Sequence, residues 1–327
     1  MFFNNRAIDW QSWHGNYSEE EFGTGQVPGC HVAGHYWHEW LHSQRSAFQD
    51  TFARGDLETL SNSTCVVLKT NLGLTHLLFG NPRYRDQLLG MGLRPDTAFG
   101  CAIAFLFHPS AKVMRTVVPA YEQLLHSSQW IHSSALSPAV VGPQTQVVIG
   151  LQIRTGDAAF KRGGEAVKSR LGEHWSGGMV EAFTACAESL QAELEAMGVK
   201  VMWMVISDSQ AVRHNLKHRS NVVSAPELPL GHTLDKRVTN TVRDKWSVMF
   251  SAVGEQWLFS KICSYFVISR YSGFGRVAAA MSLRPGAIYN INNRVVQNRS
   301  CSLATYDSWD TVARMEPFLQ LLQPSWP

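Results

Sequence analysis

Charged and polar side chains stand where two apolar stretches of this sequence end. Gln152, Arg154 and Asp157 close the stretch QVVIGLQIRTGD, and Asp208 closes VKVMWMVISD. A cationic side chain at the end of a strand commonly meets an anion, and a guanidinium can bind two phosphate oxygens at once. The chemistry that these residues suggest is therefore the binding of a phosphate group.

A third apolar stretch, YFVISRY, leads into a turn of serine and glycine at the start of a predicted helix. The turn consists of Ser272, Gly273, Phe274, Gly275 and Arg276. A helix N-terminus presents unpaired N–H groups and the positive end of the helix dipole, which together suit a phosphate. With Arg154, this turn predicts a site for a nucleotide diphosphate.

Each of these features also has an ordinary structural explanation. An arginine at the end of a strand is commonly part of a surface ion pair, and a glycine-rich turn is commonly only a turn. The order of the three features along the chain and their regular spacing favour the binding site.

An alternating series of strands and helices must position these residues. The three apolar stretches are predicted to be strands that are buried on both faces. Apolar residues at spacings of three and four mark two helices, one from Val180 to Leu194, ended by Gly198, and one from Trp246 to Trp257. The turn SGFG begins another helix. The alternation predicts a Rossmann-like parallel sheet, in which ligands bind beyond the carboxyl ends of the strands.

The segment SSALSPAVVGPQTQ is the best linker candidate, because it is rich in serine and proline. We therefore predict an N-terminal domain over residues 1–142 and a C-terminal, nucleotide-binding domain over residues 143–327. A length of 327 residues agrees with two domains. In the N-terminal part, RAIDW and STCVVLKTN are predicted strands, and FGCAIAFLFHPSAKV is a buried apolar segment that ends at Pro109.

The composition is that of a folded globular protein, with 45% hydrophobic and 17% charged residues. The net charge of +3 is too small and too dispersed for a nucleic-acid-binding protein. No apolar run approaches the roughly 20 residues that a membrane helix needs. The first residues, MFFNNRAIDW, do not form a signal peptide.

The six cysteines show no CxxC spacing, which disfavours a zinc ribbon. An even number suits disulfides, but the apolar surroundings of Cys186 and Cys263 suit buried free thiols equally well. Three glycosylation sequons, at Asn16, Asn62 and Asn298, favour a secretory compartment.

A competing signal is HEWLH, which has the spacing of zinc proteases. On a helix, His38 and His42 would share one face, with Glu39 as the general base. No third ligand follows. His31 and His35 extend the same predicted helical face, so a partly exposed aromatic helix is the interpretation that we favour.

Four segments together resemble the donor half of the GDP-fucose-dependent fucosyltransferases with the GT-B fold. They are IGLQIRTGD, ISDS, EQWLFS and YFVISRYSGFGRVAAAM. That superfamily includes the α1,6- and protein O-fucosyltransferases, and the plant xyloglucan fucosyltransferases, whose motifs are the most similar. The resemblance implies an α/β, GT-B-like fold of two Rossmann-like domains that face a cleft. The N-terminal one would be the acceptor-side domain and truncated, with the aromatic helix at its acceptor site.

The resemblance also implies roles for individual residues. Arg154 matches the arginine that holds the donor β-phosphate, and the turn from Ser272 to Gly275 matches the phosphate-binding turn. Glu255 matches an acidic position near guanine or ribose. Gln152 replaces the commoner histidine, which leaves its contact with the nucleoside open. The further donor-site candidates are Asp157, Asp208, His232 and Arg276.

The implied reaction is an inverting transfer of fucose from GDP-fucose to an acceptor hydroxyl. Arg154 would stabilise the charge of the leaving diphosphate. Asp9 or His14, which follow the first predicted strand, would be the general base, although either could equally be structural. No convincing D-x-D motif is present, so neither a metal ion nor another cofactor is expected.

The expected partners are a nucleotide-sugar donor and a glycan or glycoprotein acceptor, and no nucleic acid. The expected compartment is the Golgi lumen, with membrane attachment only through a segment upstream of this chain. The main alternative is a non-catalytic nucleotide- or sugar-binding relative of these enzymes, and a zinc hydrolase is a lesser one.

Overall fold

The computed structural model describes residues 31–35, 53–56, 66–70, 75–106, 108–127, 146–155, 172–230, 242–270, 272–284, 287–292 and 301–307. The chain forms two compact units, Met1–Gly92 and Leu93–Pro327. The division after Gly92 lies well before the predicted boundary at 142/143.

The first unit contains a pair of parallel strands, β1 (His31–His35) and β2 (Val66–Thr70), followed by the helices α1 (Thr75–Leu78) and α2 (Arg85–Gly90). The strand predicted from STCVVLKTN is thereby confirmed. The prediction that His31 and His35 extend a helical face is wrong. The segment HVAGH forms the strand β1, which pairs with VVLKT in β2, and a strand has a side-chain repeat of two residues instead of the 3.6 of a helix. The predicted strand RAIDW and the motif HEWLH lie outside the described residues.

The second unit is built on a five-stranded sheet in which every neighbouring pair is parallel. Its strands are β3 (Gln146–Ile153), β4 (Lys200–Ser207), β5 (Val222–Ser224), β6 (Tyr265–Ser269) and β7 (Ile288–Ile291). Their order across the sheet is β5-β4-β3-β6-β7. The three predicted strands are thus confirmed as β3, β4 and β6, and the prediction of a mixed α/β chain with a parallel sheet is confirmed with them.

Helices connect the strands of this sheet and precede it in the chain. They are α3 (Ala98–Leu106), α4 (Ala111–Val117), a 3₁₀ turn (Val118–Tyr121), α5 (Glu122–Ser127), α6 (Gly172–Ala196), α7 (Gln210–Leu216), α8 (Val242–Ile262) and α9 (Gly273–Met281). Gly198 has a φ of +78° just after α6, as expected for the glycine that ends a helix. No helix in the described part of the chain is long and apolar enough to span a membrane.

The two faces of the sheet are covered by different helices. Alternate residues of β3 point to opposite faces: Ile149 and Leu151 pack with α6 and α7, whereas Val148 packs with α8 and α9. Such an uninterrupted apolar strand is expected where both faces of a parallel sheet are buried. The strands therefore have only their ends available for a ligand.

The packing of α3 and α4 explains why the second unit begins near residue 93. A Cβ on Gly100, in α3, would lie 2.1 Å from the carbonyl oxygen of Ala280 in α9. A Cβ on Gly254, in α8, would lie 2.7 Å from the methyl groups of Val117 in α4. These close approaches fasten residues predicted for the N-terminal domain onto helices of the second unit.

A disulfide joins Cys186 in α6 to Cys301, after β7, across 115 residues of sequence. Of the two alternatives left open by the sequence, Cys186 therefore takes the disulfide. Cys263 takes the buried free thiol, and burial raises the pKa of that thiol. Among the described residues, Cys101 is a free and exposed thiol.

We expect the variant Cys186→Ala/Cys301→Ala to lose about 2–4 kcal/mol of unfolding free energy, because the cross-link restricts the unfolded chain. Urea unfolding of the variant and of the parent protein measures this loss. Cys101→Ser is the control and should leave the midpoint unchanged. An unchanged midpoint for the double variant would show that the bridge does not stabilise the fold.

Candidate functional site

The candidate site lies where the chain changes direction across the sheet. From β3 the chain adds β4 and β5 on one side, and then α8 carries it over to add β6 and β7 on the other side. The connections leaving β3 and β6 therefore cover opposite faces, and a crevice is expected beyond the carboxyl ends of these two strands. Arg154 follows β3 at this point, and the turn that begins α9 follows β6.

Arg154 is held at the end of β3 by its backbone and by its side chain. Its backbone N–H donates to Ser269 Oγ at 2.8 Å, and Ser269 Oγ donates to the carbonyl oxygen of Gln152 at 3.1 Å. The Arg154 Nε lies 3.2 Å from Asp208 Oδ2, and the arginine side chain is 30% exposed. A cation that solvent can reach is thus placed beside the end of β6.

Asp208 orients two consecutive residues of the β3 end. Its Oδ2 pairs with Arg154, while its Oδ1 accepts hydrogen bonds from the N–H of Thr155 at 2.7 Å and from Thr155 Oγ1 at 2.9 Å. The Asp208 side chain is nearly buried. Because the carboxylate meets the guanidinium at Nε, it restricts the direction in which the planar guanidinium points.

The N-terminus of α9 is capped by Ser272, whose Oγ accepts a hydrogen bond from the N–H of Gly275 at 3.4 Å. The carbonyl oxygen of Ser272 accepts from Arg276 Nε, also at 3.4 Å, and that of Phe274 accepts from Gln256 Nε2 at 3.0 Å. Burial lowers the pKa of the Arg276 guanidinium. The turn is therefore an ordered helix start of the kind that favours an anion.

Gln152 and Gly275 join β3 to the first turn of α9. Gln152 is buried, and its Oε1 accepts a hydrogen bond from the N–H of Ser269 at 3.3 Å. A Cβ on Gly275 would lie 2.4 Å from that same Oε1, so the close approach requires glycine. The Gln152 side chain thus contacts the first turn of α9 from the protein interior, whereas Gly273 at the start of that helix is exposed.

The fold of this chain is similar to that of a solved structure, whereas two comparisons of its sequence found no match. No protein-family model matches the chain, and no curated protein matches it. An arginine-to-lysine mutant of the fucosyltransferase FUT1 from Arabidopsis thaliana, solved in complex with GDP, is similar over 86% of this chain with a TM-score of 0.51 and 16% identity. The matched region corresponds to 59% of the FUT1 chain, so this chain spans about three fifths of that structure.

The chain therefore has a mixed α/β fold with a parallel sheet, similar to that of a GT-B fucosyltransferase. This confirms the resemblance at the level of the fold. The arrangement of two Rossmann-like domains around a cleft stays a prediction.

Glu255, the predicted contact of guanine or ribose, has a buried carboxylate. It is 2% exposed, and its Oε1 accepts hydrogen bonds from Tyr121 Oη and from Arg213 Nη1, while its Oε2 accepts from Arg213 Nη2 at 2.8 Å. Its carboxylate is engaged with buried partners in the core. The role of Glu255 near guanine or ribose stays a prediction, while the hydrogen bonds that the structure shows for it are internal.

Several predicted site residues lie outside the described residues. They are the general-base candidates Asp9 and His14, the donor-site candidates Asp157 and His232, and His38, Glu39 and His42 of HEWLH. In the part of the chain that the structure describes, no group of three or more His, Cys, Asp or Glu could hold a metal ion.

Four residues belong to the candidate site or to the hydrogen bonds behind it but were not predicted from the sequence. Thr155 and Ser269 are hydroxyl residues at the ends of predicted strands, so the position of each was a usable signal. Arg213 and Tyr121 are far from the motifs in sequence and carry no such signal.

Proposed function

We propose that this chain is an inverting fucosyltransferase whose second unit binds GDP-fucose. The observation that carries the proposal is the convergence of Arg154, oriented by Asp208, and the capped N-terminus of α9 at the carboxyl ends of β3 and β6. The likeness to the fold of a GDP-bound fucosyltransferase supports the nucleotide assignment.

The reaction that we propose is a single displacement at the anomeric carbon of fucose. The acceptor hydroxyl oxygen forms a bond to that carbon as the bond to the β-phosphate oxygen breaks, and GDP leaves with the electron pair. Negative charge grows on the β-phosphate. The Arg154 guanidinium and the N–H groups of α9 would stabilise that charge more in the transition state than in the ground state.

The acceptor proton needs a base, and Asp9 and His14 remain our candidates for it. We also propose a glycan or glycoprotein as the acceptor and the Golgi lumen as the compartment. The disulfide between Cys186 and Cys301 supports an oxidising compartment. Transfer is proposed to proceed without a metal ion, so that addition of a chelator leaves the rate unchanged.

The test of this proposal is a comparison of nucleotides and nucleotide sugars as stabilisers of the protein. GDP or GDP-fucose at 100 times its dissociation constant should add about 2.7 kcal/mol to the unfolding free energy and raise Tm. A larger rise with a UDP-sugar would contradict the donor assignment. Binding of GDP without GDP release from GDP-fucose in the presence of glycan acceptors would indicate a non-catalytic binding protein.

We expect Asp208→Asn to weaken GDP binding about tenfold, because the amide loses the charge that orients Arg154 but keeps an oxygen that can accept from Thr155. Calorimetric titration with GDP measures the change. Asp208→Ala, which also releases Thr155, should weaken binding further. Equal affinities for the parent protein and both variants would show that Asp208 has no part in orienting the arginine.

A further inference from the structure

A buried ion pair lies at the carboxyl ends of the strands, on the same side of the sheet as the candidate site. Arg213, on α7, and Glu255, on α8, form two hydrogen bonds at 2.7 and 2.8 Å, and Tyr121 donates a third to Glu255 Oε1. We call Tyr121, Arg213 and Glu255 the buried triad. Its two charged side chains are each 2% exposed, and Tyr121 is fully buried.

The protonation states within the buried triad follow from the geometry. Burial alone would lower the pKa of Arg213, but the charge of Glu255 outweighs it and the pKa is raised. Burial, and next the charge of Glu255, raise the pKa of Tyr121 well above its usual value. Arg213 is therefore a cation and Tyr121 a neutral hydrogen-bond donor.

Stabilisation of the fold does not by itself explain why the residues of the buried triad are polar. Well-packed apolar residues of similar volume often stabilise a fold as well as a buried ion pair does, because both charges must leave water. What apolar residues cannot supply is a set of directed hydrogen bonds. The further contacts of Arg213 show what these bonds hold.

Arg213 fastens the carboxyl ends of two neighbouring strands. Its Nε donates to the carbonyl oxygen of Ser207, the last residue of β4, at 2.7 Å. Its Nη1 donates to the carbonyl oxygen of Ala225, which directly follows β5, at 3.0 Å. Since α7 and α8 pack on opposite faces of the sheet, the ion pair connects the two faces at this edge.

The carbonyl of Ser207 belongs to the peptide group that precedes Asp208. The same residue is held from its other side, because Ser207 Oγ donates to the carbonyl oxygen of Ile153 at 2.8 Å and accepts from the N–H of Ser209 at 3.1 Å. Asp208 therefore projects from a backbone segment that is fixed on both sides, and it carries the carboxylate that meets Arg154.

We propose that the buried triad is a positioning device: it fixes the backbone at Ser207, and through Asp208 it sets the direction of the Arg154 guanidinium toward an anionic ligand. The consequence for nucleotide affinity rests on the proposed function, whereas the positioning itself does not. Arg213 and Glu255 are thus positioning residues that act through Asp208 and need not touch the ligand.

The test uses a variant that removes both charges and the hydroxyl together, Tyr121→Phe/Arg213→Met/Glu255→Leu, so that no charge stays buried without a partner. The matched control is Arg219→Met/Glu188→Leu, which removes the exposed ion pair at 2.6 Å between the same residue types in the same unit. Tyr121→Phe alone keeps both charges and serves if the triple variant does not fold.

The first measurement is hydrogen exchange of the Thr155 amide, which donates to Asp208. We expect exchange in the triple variant to be about tenfold faster at Thr155 but unchanged at the β3 amides, because only the edge is loosened. The control variant should exchange as the parent protein does, and Tyr121→Phe should show a smaller change in the same direction. Unchanged exchange at Thr155 in the triple variant, or in Tyr121→Phe if that is the variant used, would overturn the proposal.

The second measurement is GDP affinity in a double-mutant cycle with Arg154→Ala. The triple variant should bind GDP about tenfold more weakly than the parent protein, and this factor should vanish in the Arg154→Ala background, since the triad acts through that arginine. An equal loss in both backgrounds would show a merely structural role and overturn the proposal. If the parent protein does not bind GDP, the proposed function fails, and the exchange measurement still decides on the positioning role.

Discussion

Replacing Arg154 with alanine is expected to abolish the thermal stabilisation at GDP concentrations just sufficient to saturate the parent protein, because GDP then binds only weakly, and to lower kcat/KM for GDP-fucose about a hundredfold. The guanidinium is preorganised by Asp208 and by the backbone bond to Ser269, so it can stabilise the growing phosphate charge without reorganising. Loss of one such contact typically raises the barrier by about 3 kcal/mol, which corresponds to the expected factor. Thermal shift with GDP and steady-state kinetics measure the two effects.

Two further variants sharpen this result. Arg154→Lys keeps the charge but loses the planar fork that can meet two phosphate oxygens, so it should recover only part of the affinity. Arg219→Ala removes an exposed arginine of the same unit and should leave both the GDP response and the rate unchanged. Full stabilisation of Arg154→Ala by GDP would remove the basis of the proposed function.

Replacing Glu255 with alanine is expected to destabilise the second unit by about 3–5 kcal/mol. The variant would leave the charge of Arg213 and the hydroxyl of Tyr121 buried without their carboxylate partner. Removing one member of a buried ion pair costs far more than removing both, because the remaining charge is uncompensated. Urea unfolding in the absence of ligand measures the loss.

The exposed pair of Glu188 and Arg219 again provides the matched comparison. Glu188→Ala should lower the unfolding free energy by no more than about 1 kcal/mol, because solvent screens an exposed pair. Arg213→Met/Glu255→Leu should regain most of the stability lost in Glu255→Ala. If Glu255→Ala and Glu188→Ala unfold at the same urea concentration, the buried pair is not the strong interaction that its geometry indicates.

The sequence by itself determined the three central strands of the second unit and the longer helices between them. Apolar runs long enough to be buried on both faces identified β3, β4 and β6, and the spacing of apolar residues together with Gly198 identified α6 and its end. Local rules suffice for these elements, because hydrophobic periodicity and helix-ending residues act over a few neighbouring positions. The same rules placed Arg154 and Ser272 at strand and helix ends, and this much of the candidate site was predictable.

For one short segment with an ambiguous pattern, pairing with a distant strand decided the secondary structure. HVAGH was assigned to a helix from the spacing of its histidines, yet it pairs with VVLKT as a strand. The domain boundary also depended on distant contacts, since the close packing of Gly100 on α9 ties α3 to the second unit. In both cases the contact that decides the structure is made with residues far away in the sequence, so the segment itself does not reveal it.

Only the tertiary structure decided which polar side chains are internal. Glu255 and Arg213 are 42 residues apart, and nothing near either residue in the sequence indicates that they form a pair. Gln152 is a predicted site residue, and only the tertiary structure shows that Gly275 approaches its Oε1 closely at the first turn of α9. Arg154 lies beside Ser269 because β3 and β6 are neighbours in the sheet. That pairing depends on the side of the sheet to which the crossover connection carries the chain.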